Sequence, residues 1–207
     1  DQTGDDSAGV RPVAAAASRV LRPGELLGKY RIAEKLGEGG MGAVYQAEDR
    51  GAGTSVALKV LSPAYASRPQ SLARFLKEAR LLSTINNPYV TNLIEVNHDR
   101  GLHYIAMELV EGTNLEAAMT ACGPVDEKVA LAIVADVARA LVDAHEQGIV
   151  HRDIKPANVL LACDAQYAQP AGVDDFVQLL QSSQLKLSDF GLARHVEQSE
   201  SLALTRA

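Results

Sequence analysis

The stretch His151-Arg152-Asp153-Ile154-Lys155-Pro156-Ala157-Asn158 places an acid, three basic side chains and an amide within one short run that contains a proline. A carboxylate such as Asp153 can accept a proton from a substrate hydroxyl. Lys155, two positions on, can neutralise a phosphoryl group in transfer, and the amide oxygen of Asn158 suits a hard cation. A helical pattern over 130–145, closing on Gly148, precedes the stretch, and the apolar run Val159-Leu160-Leu161 follows it. The charges are therefore predicted on a loop between a helix and a strand, where functional groups are commonly presented. A plain solvated turn is the competing reading, and the rest of the chain decides against it.

Working outward, the most informative segment upstream is Gly37-Glu38-Gly39-Gly40-Met41-Gly42-Ala43-Val44-Tyr45. A dinucleotide-binding fold would need a helix directly after such glycines. Here 30–36 alternates as a half-buried strand, 43–48 reads as a second and 55–61 as a third. The glycines therefore sit in a strand–loop–strand hairpin, where backbone N–H groups can close over phosphates. The third strand carries Val56-Ala57-Leu58-Lys59, a charge inside an apolar run that is costly to bury without an anion. Glu78 is one candidate partner, lying beside the helical stripe Leu72, Phe75, Leu76, Ala79, Leu82.

Further on, 93–97 and 102–110 read as a hairpin turning at Asp99-Arg100-Gly101. Glu111-Gly112-Thr113-Asn114 breaks the strand pattern and is the expected boundary between two lobes, with a short helix at 115–119. Asp126 is the expected N-cap of the long helix, whose Leu131, Val134, Ala138 and Leu141 are spaced to face a core. Part of that core is expected beyond Ala207, so several of them should be exposed in this chain. Phe176 to Leu180 is a candidate helical turn, and Leu185-Lys186-Leu187-Ser188 a strand running into Asp189-Phe190-Gly191.

Composition narrows the classes. A chain of 207 residues, 47% hydrophobic, can bury a core in one large domain or two lobes. A net charge of −6 without a basic run argues against a nucleic-acid partner. Cys122 and Cys163 lack metal-ligand spacing and read as free thiols of a reducing compartment. No apolar run approaches the ~20 residues that span a bilayer, and no signal peptide is evident. The expectation is a cytoplasmic location, with any membrane anchor of the parent lying in a part not present. Residues 1–25, rich in Asp, Ala, Gly and Ser, are predicted to form a disordered lead. With no initiator Met and no closing element after Ala207, both ends read as cuts from a longer protein.

Taken in order, G-x-G-x-x-G-x-V, V-A-x-K, a helical Glu, H-R-D-x-K-P-x-N and D-F-G resemble the protein-kinase signature set over 30–207. The wording around Lys155 and Gly39-Gly40-Met41-Gly42 is most similar to bacterial, Hanks-type serine/threonine kinases. The resemblance implies an α+β, two-lobe fold spanning 26–207. Its small lobe, 26–110, would be a five-stranded antiparallel sheet with one helix, and 111–207 the first part of a mainly helical large lobe. It implies ATP and Mg²⁺ as cofactors and a protein substrate with a serine or threonine acceptor.

Carried over by position, the loop Leu36, Gly37, Glu38, Gly39, Gly40, Met41, Gly42, Ala43, Val44 would cover ATP. Lys59 would hold the α/β-phosphates and pair with Glu78, Asp153 would take the hydroxyl proton, and Lys155 would touch the γ-phosphate. Asn158 and Asp189 would hold Mg²⁺. Val44 and Ala57 would lie above the adenine and Leu160 below it. Met107 would be the gatekeeper, with hinge hydrogen bonds from the backbone of Glu108 and Val110. Leu82, Leu93, His151 and Phe190 match the apolar spine that links the lobes.

Arg152 would meet a phosphate on the segment bearing Ser199, Ser201 and Thr205. The separation of Asn158 from Asp189 is longer than the family ordinarily needs, so the extra residues are expected to loop out away from the phosphates. The family's A-P-E element would fall after Ala207, so the chain is expected to be a fragment, inactive alone. The alternative reading is a nucleotide-binding but inactive regulatory or scaffold module.

Overall fold

The computed structural model describes residues 20–164 and 168–190, apart from the side chains of Arg74, Glu78 and Val173. The first half is an antiparallel sheet built of β1 (Leu26–Leu27), β2 (Tyr30–Gly39), β3 (Gly42–Asp49), β4 (Thr54–Leu61), β5 (Leu93–Asp99) and β6 (Leu102–Glu108). Its spatial order is β1-β2-β3-β4-β6-β5, so β4, which carries Lys59, lies inside the sheet between β3 and β6. The sheet thus has one more strand than the five expected, the two-residue β1, which pairs with the start of β2. The β5–β6 hairpin turns at Arg100-Gly101, both with positive φ (47° and 77°), the geometry that matches strand twist in a two-residue loop.

Alternation along β4 separates two faces. Val56, Leu58 and Val60 pack with Tyr30, Ile32, Tyr45 and Tyr104 in an outer cluster. Ala57, Lys59 and Leu61 fall on the opposite side by the period of two. There the one-turn helix α1 (Pro63–Ala66) leads to α2 (Pro69–Leu82), which buries Phe75, Ala79 and Leu82. These three recur at helical spacing, as the sequence pattern requires.

The second half is assembled on a three-stranded antiparallel sheet, β7 (Gly112–Asn114), β8 (Val159–Ala162) and β9 (Gln184–Leu187). The expected break at 111–114 is thus a short strand rather than a plain linker. Gly112 is required there, with φ +139° and no room for a Cβ beside the Leu161 carbonyl oxygen. Asn114 caps α3 (Leu115–Cys122) through the Ala117 N–H at 2.9 Å, and Asp126 caps α4 (Glu127–Glu146) through the Lys128 N–H at 2.8 Å. A continuous apolar core runs through both halves, joining Phe75, Leu82 and Ile105 to Leu161, Leu187, Phe190 and Ala140.

Two sequence expectations need correction. Folded structure begins before residue 26: Leu21 is buried and its N–H donates to the Tyr45 hydroxyl at 3.3 Å, while Gly24 N–H donates to the Ile32 carbonyl. The apolar Leu21 finds the sheet's outer face, which composition averaged over 1–25 conceals; residues 1–19 lie outside the described residues.

On α4, Leu131 and Val134 are each 62% exposed and Ala138 is exposed, whereas Ile133, Ala140 and Ala144 are buried and Leu141 is half-buried. Lys128, Asp136, Arg139 and Asp143 share one side of the helix, and its apolar arc is wider than the stripe this core covers. Finally, the long segment after β8 does not simply loop out. It forms α5 (Val173–Ser182), whose Phe176 and Leu179 are buried in the shared core.

Because Phe176 is in that core, Phe176→Ala should lower stability by about 3–5 kcal/mol in a urea titration. A loss below about 0.5 kcal/mol would mean that α5 does not contribute to the core.

Candidate active site

The β2–β3 hairpin pairs out to Gly39 opposite Gly42, leaving Gly40-Met41 as its tip. Gly42 has φ +150°, and a Cβ there would lie 1.9 Å from the carbonyl oxygen of Val60, so the loop approaches β4 more closely than any side chain permits. Glu38 lies opposite Ala43, Gly37 opposite Val44, and Val44 opposite Lys59, so the glycine loop ends beside the buried lysine. Leu36 is exposed on the same strand. Ala57 pairs with Met107, which sets the apolar floor of the sheet next to the end of β6 at Glu108; Leu109 and Val110 lead away from it.

Lys59 is 9% exposed, and its ammonium donates to Asp189 Oδ1 at 2.6 Å. The anion required by burial is therefore met by a residue 130 positions away. Glu78 belongs to α2, but its side chain lies outside the described residues, so the expected Lys59–Glu78 pair does too. Asp189 has φ +57° and Arg152 has φ +65°, both in the left-handed region that non-glycine residues seldom adopt. Such residues cluster where function over-determines the backbone.

The loop between α4 and β8 is organised by Asp153 and Asn158. Asn158 Nδ2 donates to the Asp153 carbonyl at 2.8 Å and to its Oδ2 at 3.2 Å, and Lys155 Nζ sits 2.9 Å from the same carboxylate oxygen. Pro156 opens a 3₁₀ turn over Pro156–Asn158, closed by Asn158 N–H to the Lys155 carbonyl at 3.0 Å. Because β8 and β9 pair, with Leu160 opposite Lys186, the residues after each strand's functional end come together. Ser188 N–H donates to the Asn158 carbonyl at 2.9 Å, which brings Asn158 beside Asp189.

His151 is 1% exposed and packs against Phe190 with ring centroids 4.5 Å apart and the ring planes tilted by 47°. Its Nδ1 accepts the Asp153 N–H at 3.2 Å, so the proton resides on Nε2, which donates to the Ser188 carbonyl at 2.9 Å. Both nitrogens of a neutral ring are thus used, and burial holds the His151 pKa below its ordinary value. Leu82, Leu93 and Phe190 are likewise buried, in the apolar core.

Asn158 and Asp189 offer an amide and a carboxylate oxygen, the hard donors that Mg²⁺ uses with water and phosphate completing its shell. The donor chemistry fits that ion. Reasoning from sequence missed Lys186, whose ammonium bridges both oxygens of Glu108 at 2.9 and 3.0 Å. The signal was present: a lone lysine between Leu185 and Leu187 demands an anion as Lys59 does. Ser199, Ser201 and Thr205 lie outside the described residues, as does Gly191.

Residues 30–207 match the family described as protein kinase domain. The chain belongs to the protein kinase family. Its resemblance to bacterial Hanks-type serine/threonine kinases is borne out by its relatives. A probable serine/threonine-protein kinase of Clostridium perfringens is 34% identical over 177 residues, covering 85% of this chain and 23% of that protein. Serine/threonine-protein kinase PrkC of Bacillus subtilis is 40% identical over 134 residues, covering 65% and 21%. The crystal structure of the PknI kinase domain of Mycobacterium tuberculosis aligns with TM-score 0.69 and 31% identity, over 84% of this chain and 63% of that one. The chain therefore spans less than a quarter of the length of these curated relatives. Among the described residues, no helix is long and apolar enough to cross a membrane.

The neutral His151 gives a pH test of this kinase core. Its folded pKa is depressed, so the stability it confers is present above its ordinary value of 6.5 and is lost as pH falls through the lower folded value. Urea midpoints should fall between pH about 7.5 and about 5.5 by more in the wild type than in His151→Phe, which has no proton to take up there. Equal falls would show that this ring does not titrate with folding.

Proposed function

We propose that this kinase domain transfers the γ-phosphoryl group of ATP to serine or threonine hydroxyls of protein substrates. The observation that carries the reading is the Asp153 carboxylate, held by Asn158 and Lys155 and joined through Ser188 to the Lys59–Asp189 pair. Acceptor base and phosphate-binding groups thus occupy one connected site. In this reading the substrate oxygen attacks the γ-phosphorus, the bond to the ADP oxygen breaks, and Asp153 receives the hydroxyl proton.

Lys155 neutralises charge on the transferring group, and Lys59 holds the α/β-phosphates, with Glu78 orienting it. Backbone N–H groups of the loop from Leu36 to Val44 close over the phosphates. Adenine lies between Val44 and Ala57 on one side and Leu160 on the other, bounded by Met107, with hydrogen bonds from the backbone of Glu108 and Val110. Asn158 and Asp189 hold Mg²⁺, which when bound neutralises phosphate charge. The AMP-PNP complex of Rad53, a structure 28% identical with TM-score 0.62, supports an ATP-type ligand.

Asp153→Asn should lower kcat by about 10²–10⁴-fold while leaving nucleotide affinity within about threefold, because Asp153 faces the acceptor rather than ATP. Phosphate transfer from labelled ATP to a generic protein acceptor measures the first, and calorimetric titration with ATP the second. Equal turnover in the two proteins would sink the assignment. Nucleotide binding without turnover in the wild type would favour an inactive regulatory module instead.

A further inference from the structure

Glu108 ends β6 at the junction of the two lobes, and three groups hold its side chain and backbone in place. Lys186 of β9 bridges Oε1 and Oε2 at 2.9 and 3.0 Å, and the Asn92 N–H donates to Oε2 at 3.2 Å. In return, the Glu108 N–H donates to the Asn92 carbonyl at 2.9 Å. Segment 89–92 is itself tied to β9: Leu187 N–H donates to the Tyr89 carbonyl at 2.7 Å, and Thr91 N–H to the Leu187 carbonyl at 3.0 Å. The end of β6, the segment before β5 and strand β9 therefore form one hydrogen-bonded block across the lobe junction.

We infer that Lys186 is a positioning residue for the nucleotide site, clamping Glu108 so that the adenine end of the cleft keeps a set distance from Asp189. The inference rests on the ATP reading above for its consequence in catalysis. Its physical basis is independent of that reading. The Lys186 side chain is only 13% exposed, which distinguishes it from the solvated pairs that contribute little.

Asp189 follows Lys186 by three positions on the same strand end, and the intervening Leu187 is buried and doubly hydrogen-bonded, so movement at one end is transmitted to the other. Removing the ammonium leaves the Glu108 carboxylate partly enclosed with one N–H donor, Asn92. The strand end then relaxes toward water, loosening the backbone that faces adenine.

The test uses the full-length protein, with Lys186→Met, Lys186→Arg, and the exchanged pair Lys186→Glu with Glu108→Lys. In the nucleotide-free state, Lys186→Met should speed amide exchange at Glu108–Val110 and Leu187–Asp189 by about tenfold, leaving β2 and β3 unchanged. In turnover, KM for ATP should rise about tenfold with kcat within about threefold, and Lys186→Arg or the exchanged pair should recover most of the loss. Unchanged exchange at the junction, a uniform rise throughout the molecule, or an unaltered KM would each overturn the inference. A wild type that binds no ATP would sink the kinase reading, and the exchange measurement alone would then decide whether Lys186 clamps the junction.

Discussion

An ammonium cannot rest within an apolar sheet without an anion beside it, and Lys59 is held in β4 at 9% exposure. Its partner, Asp189, comes from the far end of the described chain. For the two to meet, β9 must pair with β8, and segment 89–92 must dock on Leu187. The apolar core that runs from α2 to α5 accompanies this pairing. The site is thus created where the two halves of the molecule satisfy one buried charge.

Two backbone features show how closely the remaining parts are drawn around that charge. Gly42 lets the hairpin tip press on β4, and the left-handed Asp189 turns its carboxylate toward the cleft side of the same strand. Conformations of this kind cost free energy and persist only where neighbours over-determine them. Neighbours do so here: Ser188 is held to Asn158, His151 to Ser188, and Phe190 to the His151 ring. Every polar atom of the His151 ring is used, which accounts for a neutral imidazole in the core.

The α5 insertion extends the same economy. Instead of projecting into solvent, its apolar side adds Phe176 and Leu179 to the core beneath β8 and β9, the strands that place Asn158 and Asp189. Beside α5, α4 presents Leu131, Val134 and Val142 outward while Ile133, Ala140 and Ala144 face in. The small Ala140 and Ala144 allow close helix–sheet approach, with Ile133 buried alongside them.

Local chemistry was legible in the residues themselves. The alternation of β4, the capping role of Asp126, the turn at Arg100-Gly101 and the ordered kinase motifs depend on neighbours a few positions apart. Such features can be read because strand and helix periods and caps are short-range. The tertiary structure alone decided which part of α4's apolar arc is buried, because that arc is wider than the stripe its partners cover. It alone brought Leu21 under the sheet and α5 into the core. It also set Asp189 beside Lys59 and Glu108 beside Lys186. A buried cation announces in sequence that an anion is needed, but which carboxylate answers depends on strand pairing across distant parts of the chain.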